Sequence, residues 1–209
     1  MVKMTAEGVT IESCPPGTDV GAFQPGDFIL THGKAWTSRL IRVGQRLRFV
    51  GESRKYTWWN HTALIVNEEG DLVEALGAGV QRRNISVYRA TEYQVVRIEA
   101  SVEDRRQMMA FAETCVDLKY GYAVIASIAF SLLTGTKLSF GFDGQYICSG
   151  LVARCLERTD YLLPVRERLP QVVVRSSSHT MPAHLAEFFR VDPPGPGATA
   201  GVIPDAARG

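Results

Sequence analysis

The chain has 209 residues, of which 45% are hydrophobic and 22% charged, a size and balance that suit one globular domain whose core needs neither disulfides nor metal. Its 23 basic residues are offset by 22 acidic ones, a formal net charge of +1, which argues against a polyanion-binding protein, so no nucleic-acid partner is expected. The four cysteines, Cys14, Cys115, Cys148 and Cys155, include no C-x-x-C pair, which argues against a zinc ribbon or a thioredoxin-like site and predicts a reducing compartment.

In chain order, residues 1–24 read as an irregular lead-in with a turn at Pro15-Pro16-Gly17. The first eight residues contain no long apolar run, which predicts the absence of a signal peptide and a cytoplasmic location. Pro25-Gly26-Asp27 predicts a turn and Phe28-Ile29-Leu30 the start of a strand. Trp36, Leu40, Ile41 and Val43 recur at helical spacing, with Arg39, Arg42 and Arg46 among them, which predicts a short amphipathic helix with a solvated basic face. Residues 51–55 read as a polar loop. Residues 61–66 and 72–76 then predict a β-hairpin, joined by Asn67-Glu68-Glu69-Gly70-Asp71, whose residue types suit a tight turn. Residues 80–88 and 93–98 add further strand-like runs.

The period then changes. Ser101 and Asp104 resemble an N-terminal cap, and Val102, Met109, Ala112, Cys115 and Val116 recur at helical spacing up to a break at Lys119-Tyr120-Gly121-Tyr122. Residues 123–133, A-V-I-A-S-I-A-F-S-L-L, are the longest apolar stretch. They fall short of the roughly 20 residues a membrane span requires, so no transmembrane segment is expected. They read as a buried helix, with a lipid- or partner-facing surface as the alternative. A Gly-rich loop over 134–145 leads to a helix from about 147 to 158, and Pro182 suits the first turn of a last short helix. The Pro/Gly/Ala-rich residues 193–209 predict a disordered tail, leaving 25–192 as a single domain. The fold class expected is α+β, with a β-rich first half and a helix-rich second half.

Cys148 sits where the Gly-rich loop gives way to a helix. A helix N-terminus carries partial positive charge and unbonded N–H groups, which favour a thiolate and can hold an oxyanion. Ser149 and Gly150 are small and would leave the sulfur accessible. Cys155, two turns deeper, reads as core. Of the four histidines, His61 is the best-placed base, because it opens a strand whose alternate positions are Ala63 and Ile65. His32, His179 and His184 read as solvated. Glu74 interrupts the apolar run Leu72-Val73-Glu74-Ala75-Leu76 on the neighbouring strand, where it would orient the imidazole; a Glu on the solvent face is the plainer alternative. Trp58 and Trp59, just before His61, are candidates for the wall of a substrate cleft, one of them rather than both.

These residues resemble a known family. Cys148-Ser149-Gly150-Leu151-Val152 resembles the nucleophile motif of the NlpC-type cysteine peptidases, a papain-like group. Pro25-Gly26-Asp27-Phe28-Ile29-Leu30, His61-Thr62-Ala63-Leu64-Ile65-Val66 and Val73-Glu74-Ala75 with Gly79-Val80 resemble, in turn, its Gly-Asp turn, its histidine strand and the strand of its third polar residue. A weaker match lies at Thr180 to Pro182. The His block precedes the Cys block, which is similar to the circularly permuted branch of YiiX-like and lecithin–retinol acyltransferase-like proteins; a Glu as third residue is closer to the YiiX-like side. The chain departs from the pattern at Ile147, where many members carry Asp, and in the basic, aromatic insertion between Thr31 and Trp59.

The resemblance implies a permuted papain-like fold, with an antiparallel, barrel-like β half packed on helices and the nucleophile at a helix N-terminus. It implies cysteine-dependent hydrolysis of a peptide, isopeptide or cell-wall amide bond, in a bacterial or phage setting, with Cys148, His61 and Glu74 as the catalytic set and no metal or cofactor. Gln145 or Tyr146 would supply a second oxyanion donor beside the Cys148 backbone N–H and would line the substrate site. Two further readings are a lipid acyltransferase or thioesterase, motivated by residues 123–133, and a binding module that keeps the scaffold without the chemistry.

Overall fold

A computed structural model describes residues 2–4, 9–19, 21–33, 36–120, 145–158 and 180–195. It is an α+β structure. Seven antiparallel strands form one sheet in the order β1 (Val2–Met4), β2 (Thr10–Cys14), β7 (Tyr93–Arg97), β3 (Phe28–Thr31), β4 (His61–Ile65), β5 (Asp71–Leu76) and β6 (Gly79–Asn84). The sheet is open, with β1 and β6 as its edges, rather than barrel-like. Among the described residues four α-helices accompany it: α1 (Trp36–Arg48), α2 (Val102–Thr114), α3 (Cys148–Leu156) and α4 (Pro182–Phe188). Two-residue strands β8 (Lys119–Tyr120) and β9 (Gln145–Tyr146) pair in parallel just before α3.

Both faces of the sheet are covered. On one, Leu64, Val73 and Ala75 pack with Met108 and Ala112 of α2, Leu151, Val152 and Cys155 of α3, and Leu185 of α4. On the other, Ile29, Ala63, Ile65, Leu72 and Val95 pack with Phe23 and Ile85, the latter opening a short 3-10 turn over Ile85–Tyr88. Every residue of β4 is buried as a result. The stretch 51–55, read as a polar loop, belongs to a longer 3-10 helix, Gly51–Trp58. The capping box at Ser101 and Asp104 is present as expected, with the Asp104 N–H donating to Ser101 Oγ at 3.1 Å. Val102, however, lies outside the core at 86% exposure, and Met108 takes the buried position that the spacing gave to Met109.

One sequence expectation about the ends of the domain changes. Residues 1–24 are not an irregular lead-in, because β2 pairs with β7 from Thr10↔Arg97 to Cys14↔Tyr93 and buries Ile11 and Cys14. The signal was short and its pairing partner lies some eighty residues away, so local composition did not reveal it. Residues 196–209 of the expected tail, and the whole apolar stretch 123–133, lie outside the described residues.

The turn at Pro25-Gly26-Asp27 works as a clamp. Gly26 adopts φ +91°, open to glycine, and a Cβ there would meet the Arg105 side chain at 3.2 Å. Asp27 is fully buried and binds three groups: Arg105 Nη1 at 3.0 Å, Arg97 Nη1 at 3.5 Å and the Ile98 N–H at 3.2 Å. Burial pushes its carboxyl up, against the pull of Arg105. One side chain thus ties the start of β3 to α2 and to the end of β7. Replacing Asp27 with Ala strands the largely buried Arg105 charge, so Asp27→Ala should cost about 3–5 kcal/mol. Urea unfolding checks this: the midpoint should fall with an unchanged slope, and a shift corresponding to less than about 1 kcal/mol would show that the clamp is not needed.

Candidate active site

The β4–β5 hairpin brings His61 and Glu74 together. Its register pairs Leu64 with Val73 and Ile65 with Leu72, so one step further Glu74 lies opposite Ala63. Antiparallel partners share a face, and alternate residues of one strand share it too, so His61 and Glu74 are diagonal neighbours. The imidazole Nε2 lies 2.6 Å from Glu74 Oε2, with His61 7% exposed and Glu74 not exposed at all. The solvent-face alternative for Glu74 is therefore excluded.

Glu74 is held by more than the histidine. The Tyr88 hydroxyl donates to the same Oε2, and Arg83 Nη1 reaches Oε1 at 3.4 Å. Arg83 comes from β6 and Tyr88 from the 3-10 turn after it, and the Tyr88 ring lies 6.0 Å from the His61 ring, roughly parallel to it. Burial works to raise the Glu74 carboxyl, but the hydrogen bond and charge of His61, the Tyr88 hydroxyl and the Arg83 charge outweigh it and hold it below the ordinary range. Tyr88 stays protonated, through burial and the adjacent carboxylate. Neither Tyr88 nor Arg83 was singled out in the sequence; one sits in an apolar-looking run and the other in a pair of arginines, and only the β5–β6 register places them around Glu74.

Cys148 completes the group. It is the first residue of α3, after Ile147 at the N-cap position in extended conformation, so its N–H is among those with no partner inside the helix. Helix α3 packs on β4 and β5 with α2 against it, which brings its N-terminus to the start of β4. There the Cys148 side chain comes within interacting range of the His61 imidazole. With Nε2 occupied by Glu74, Nδ1 is the nitrogen left for the sulfur. Burial lowers the imidazole pKa, but the charge of Cys148 and its hydrogen bond, followed by the same two effects from Glu74, push it up to about 10. Burial pushes the Cys14 thiol up to about 11 and drives that of Cys155 higher still. Cys155 is a core residue, as expected.

Several expectations about the surroundings do not hold. Cys148 is only 1% exposed, because small neighbours do not open a site when the helix carrying them is embedded in the core. Ser149 is itself buried, and its hydroxyl donates to the Thr180 carbonyl at 2.5 Å. Trp59 lines no cleft: it has no exposed surface, and its Nε1 donates to the Val191 carbonyl at 2.8 Å. Trp58 is half-buried and stacks on His32 with ring centroids 4.4 Å apart, while His32 Nδ1 lies 2.8 Å from the Trp58 carbonyl oxygen. His184 is buried, not solvated. It accepts the Met181 N–H at 3.0 Å, and burial, with Arg48 nearby, pulls it down to about 3, so it is a neutral helix-capping group. His179 and the side chains of Gln145 and Tyr146 lie outside the described residues. No helix among the described residues is long and apolar enough to cross a membrane.

No protein-family model matches this chain, and no curated protein matches it.

A raised histidine contributes stability that is complete below its ordinary value near 6.5 and is lost as pH climbs towards 10. The depressed Glu74 carboxyl contributes above its ordinary value near 4.5 and loses that contribution as pH falls. The trio should therefore stabilise the fold most between about pH 5 and 6.5. In NMR titrations the His61 imidazolium should persist above neutral pH, and its midpoint should fall in both Cys148→Ala and Glu74→Gln. A midpoint unmoved by either change would mean that the pair does not govern the histidine.

Proposed function

We propose that this protein is a cysteine-dependent hydrolase of the permuted papain-like, NlpC-type class, cleaving an amide bond through a thioester. The observation that carries this reading is a single imidazole held between a buried carboxylate and a helix-N-terminal cysteine. That order of groups is the arrangement an activated nucleophile requires.

The proton of Cys148 has already passed to His61 Nδ1 in the resting pair, in keeping with the raised imidazole, and the sulfur attacks the carbonyl carbon of the substrate. The developing oxyanion turns towards the Cys148 backbone N–H at the start of α3. Glu74 accepts the Nε2 proton in a hydrogen bond throughout, keeping the ring in one orientation and stabilising it as imidazolium. The imidazolium protonates the leaving amine as the C–N bond breaks and the thioester remains. His61 then deprotonates a water, which attacks the thioester and releases the acid and the thiol. Tyr88 and Arg83 position Glu74 and do not touch the reacting atoms. The same steps serve an ester carbonyl, so a lipid acyl donor, suggested by residues 123–133, is the alternative substrate. A binding module without chemistry has no use for the three-part set.

Cys148→Ala should abolish hydrolysis of amide and ester substrates while leaving the fold intact. Because Cys148 has almost no exposed surface, the first probe of the pair is a small one, iodoacetamide, with the labelled residue located by mass spectrometry. Alkylation of Cys148 below neutral pH should slow by roughly tenfold or more in His61→Ala. An equal rate with and without the imidazole would remove the basis for a catalytic pair.

A further inference from the structure

We propose that α1 and the 3-10 segment after it form a docking surface for an anionic lipid bilayer. The described residues contain five exposed large apolar side chains, and three of them, Val43, Leu47 and Val50, are 58%, 62% and 75% exposed at spacings of four and three. That spacing lines one side of a helix and its exit. The opposite side of α1 is fastened to the domain. Gln45 is fully buried, donating to the Trp59 carbonyl at 2.8 Å and accepting the Ala183 N–H at 2.8 Å, and Phe49 packs on the His184 ring. The apolar stripe therefore faces outward by construction, since turning it inward would expose Gln45 and Phe49 and break both of the Gln45 bonds.

The charge around the stripe is one-sided. Between Lys34 and Lys55 the chain carries seven basic residues and one acidic residue, Glu52, although basic and acidic residues number 23 and 22 over the whole chain. Arg46, Arg48 and Arg54 are exposed and Arg42 is half-buried. None of these four makes an ion pair among the described residues, whereas Lys55 is bound to Asp192 at 2.7 Å. Unpaired arginines alone would suit any polyanion. An apolar stripe flanked by them suits a surface that is anionic outside and apolar beneath, which is the interface of a bilayer containing acidic lipids. Gln45 bonds the carbonyl two residues before His61, so the docked helix would be coupled directly to the strand that carries the candidate base.

The test is co-sedimentation of the full chain with vesicles of phosphatidylcholine alone and of phosphatidylcholine mixed with phosphatidylserine, at low and high salt. Binding should require phosphatidylserine and weaken with salt. It should fall about fivefold for each arginine lost in Arg46→Ala and Arg54→Ala, and it should be lost in Leu47→Asp. All three positions are exposed, so thermal unfolding should match wild type and separate docking from folding. No binding to the mixed vesicles, equal binding to phosphatidylcholine alone, or binding untouched by the substitutions would each overturn the proposal; in the first case, capture by an acidic protein would identify a different partner class. Vesicle binding does not pass through Cys148, so this result and the alkylation result stand or fall separately.

Discussion

A carboxylate with no exposed surface must be matched by partners within the protein, and the local architecture around Glu74 follows from that demand. Its two oxygens are met by His61 from β4, Arg83 from β6 and Tyr88 from the turn that follows β6. Those partners come from three places in the chain, so the carboxylate is satisfied only when β4, β5 and β6 are in one register. A slip of one residue would send Glu74 to the helix-covered face, among Leu64, Val73 and Leu151. The group that orients the candidate base is thus also a check on strand pairing.

The nucleophile end is organised by packing instead. Helix α3 is buried along most of its length against β4, β5, α2 and α4, which gives Cys148 a fixed position and leaves its sulfur almost no exposed surface. Two further anchors hold the surroundings. The Ser149 hydroxyl fastens the segment leading into α4, and Asp27 fastens α2 to the start of β3. Position, rather than openness, is what the fold supplies here. The contrast with α1 is instructive: it is bound through one buried amide and one buried ring and presents its other side outward.

Much of this was legible in the residues. The hairpin over 61–66 and 72–76, the cap at Ser101, Pro182 at the start of a short helix and the start of α3 at Cys148 all rest on local rules of period, turn chemistry and capping, which act over a few residues. Strand β2 was not legible, because a five-residue strand that finds its partner at Tyr93–Arg97 carries little local signal. The places of His184 and Val102 differ from the sequence expectation for a related reason. Periodicity says that a residue shares a face with others, but which face meets the core is settled by what packs there.

What the sequence determined by itself is the α+β order of elements and the residue types able to make an oriented base and a helix-N-terminal thiol, since these depend on neighbours within a few positions. The tertiary structure decided that His61, Glu74 and Cys148 meet, that Tyr88 and Arg83 surround the carboxylate, that the sulfur is covered and that Trp59 belongs to the core. Cys148 lies 87 residues beyond His61 in the chain, and no local propensity encodes a contact at that separation. It exists because buried apolar surface holds α3 against β4 and β5, and because a buried carboxylate tolerates only the register that satisfies it.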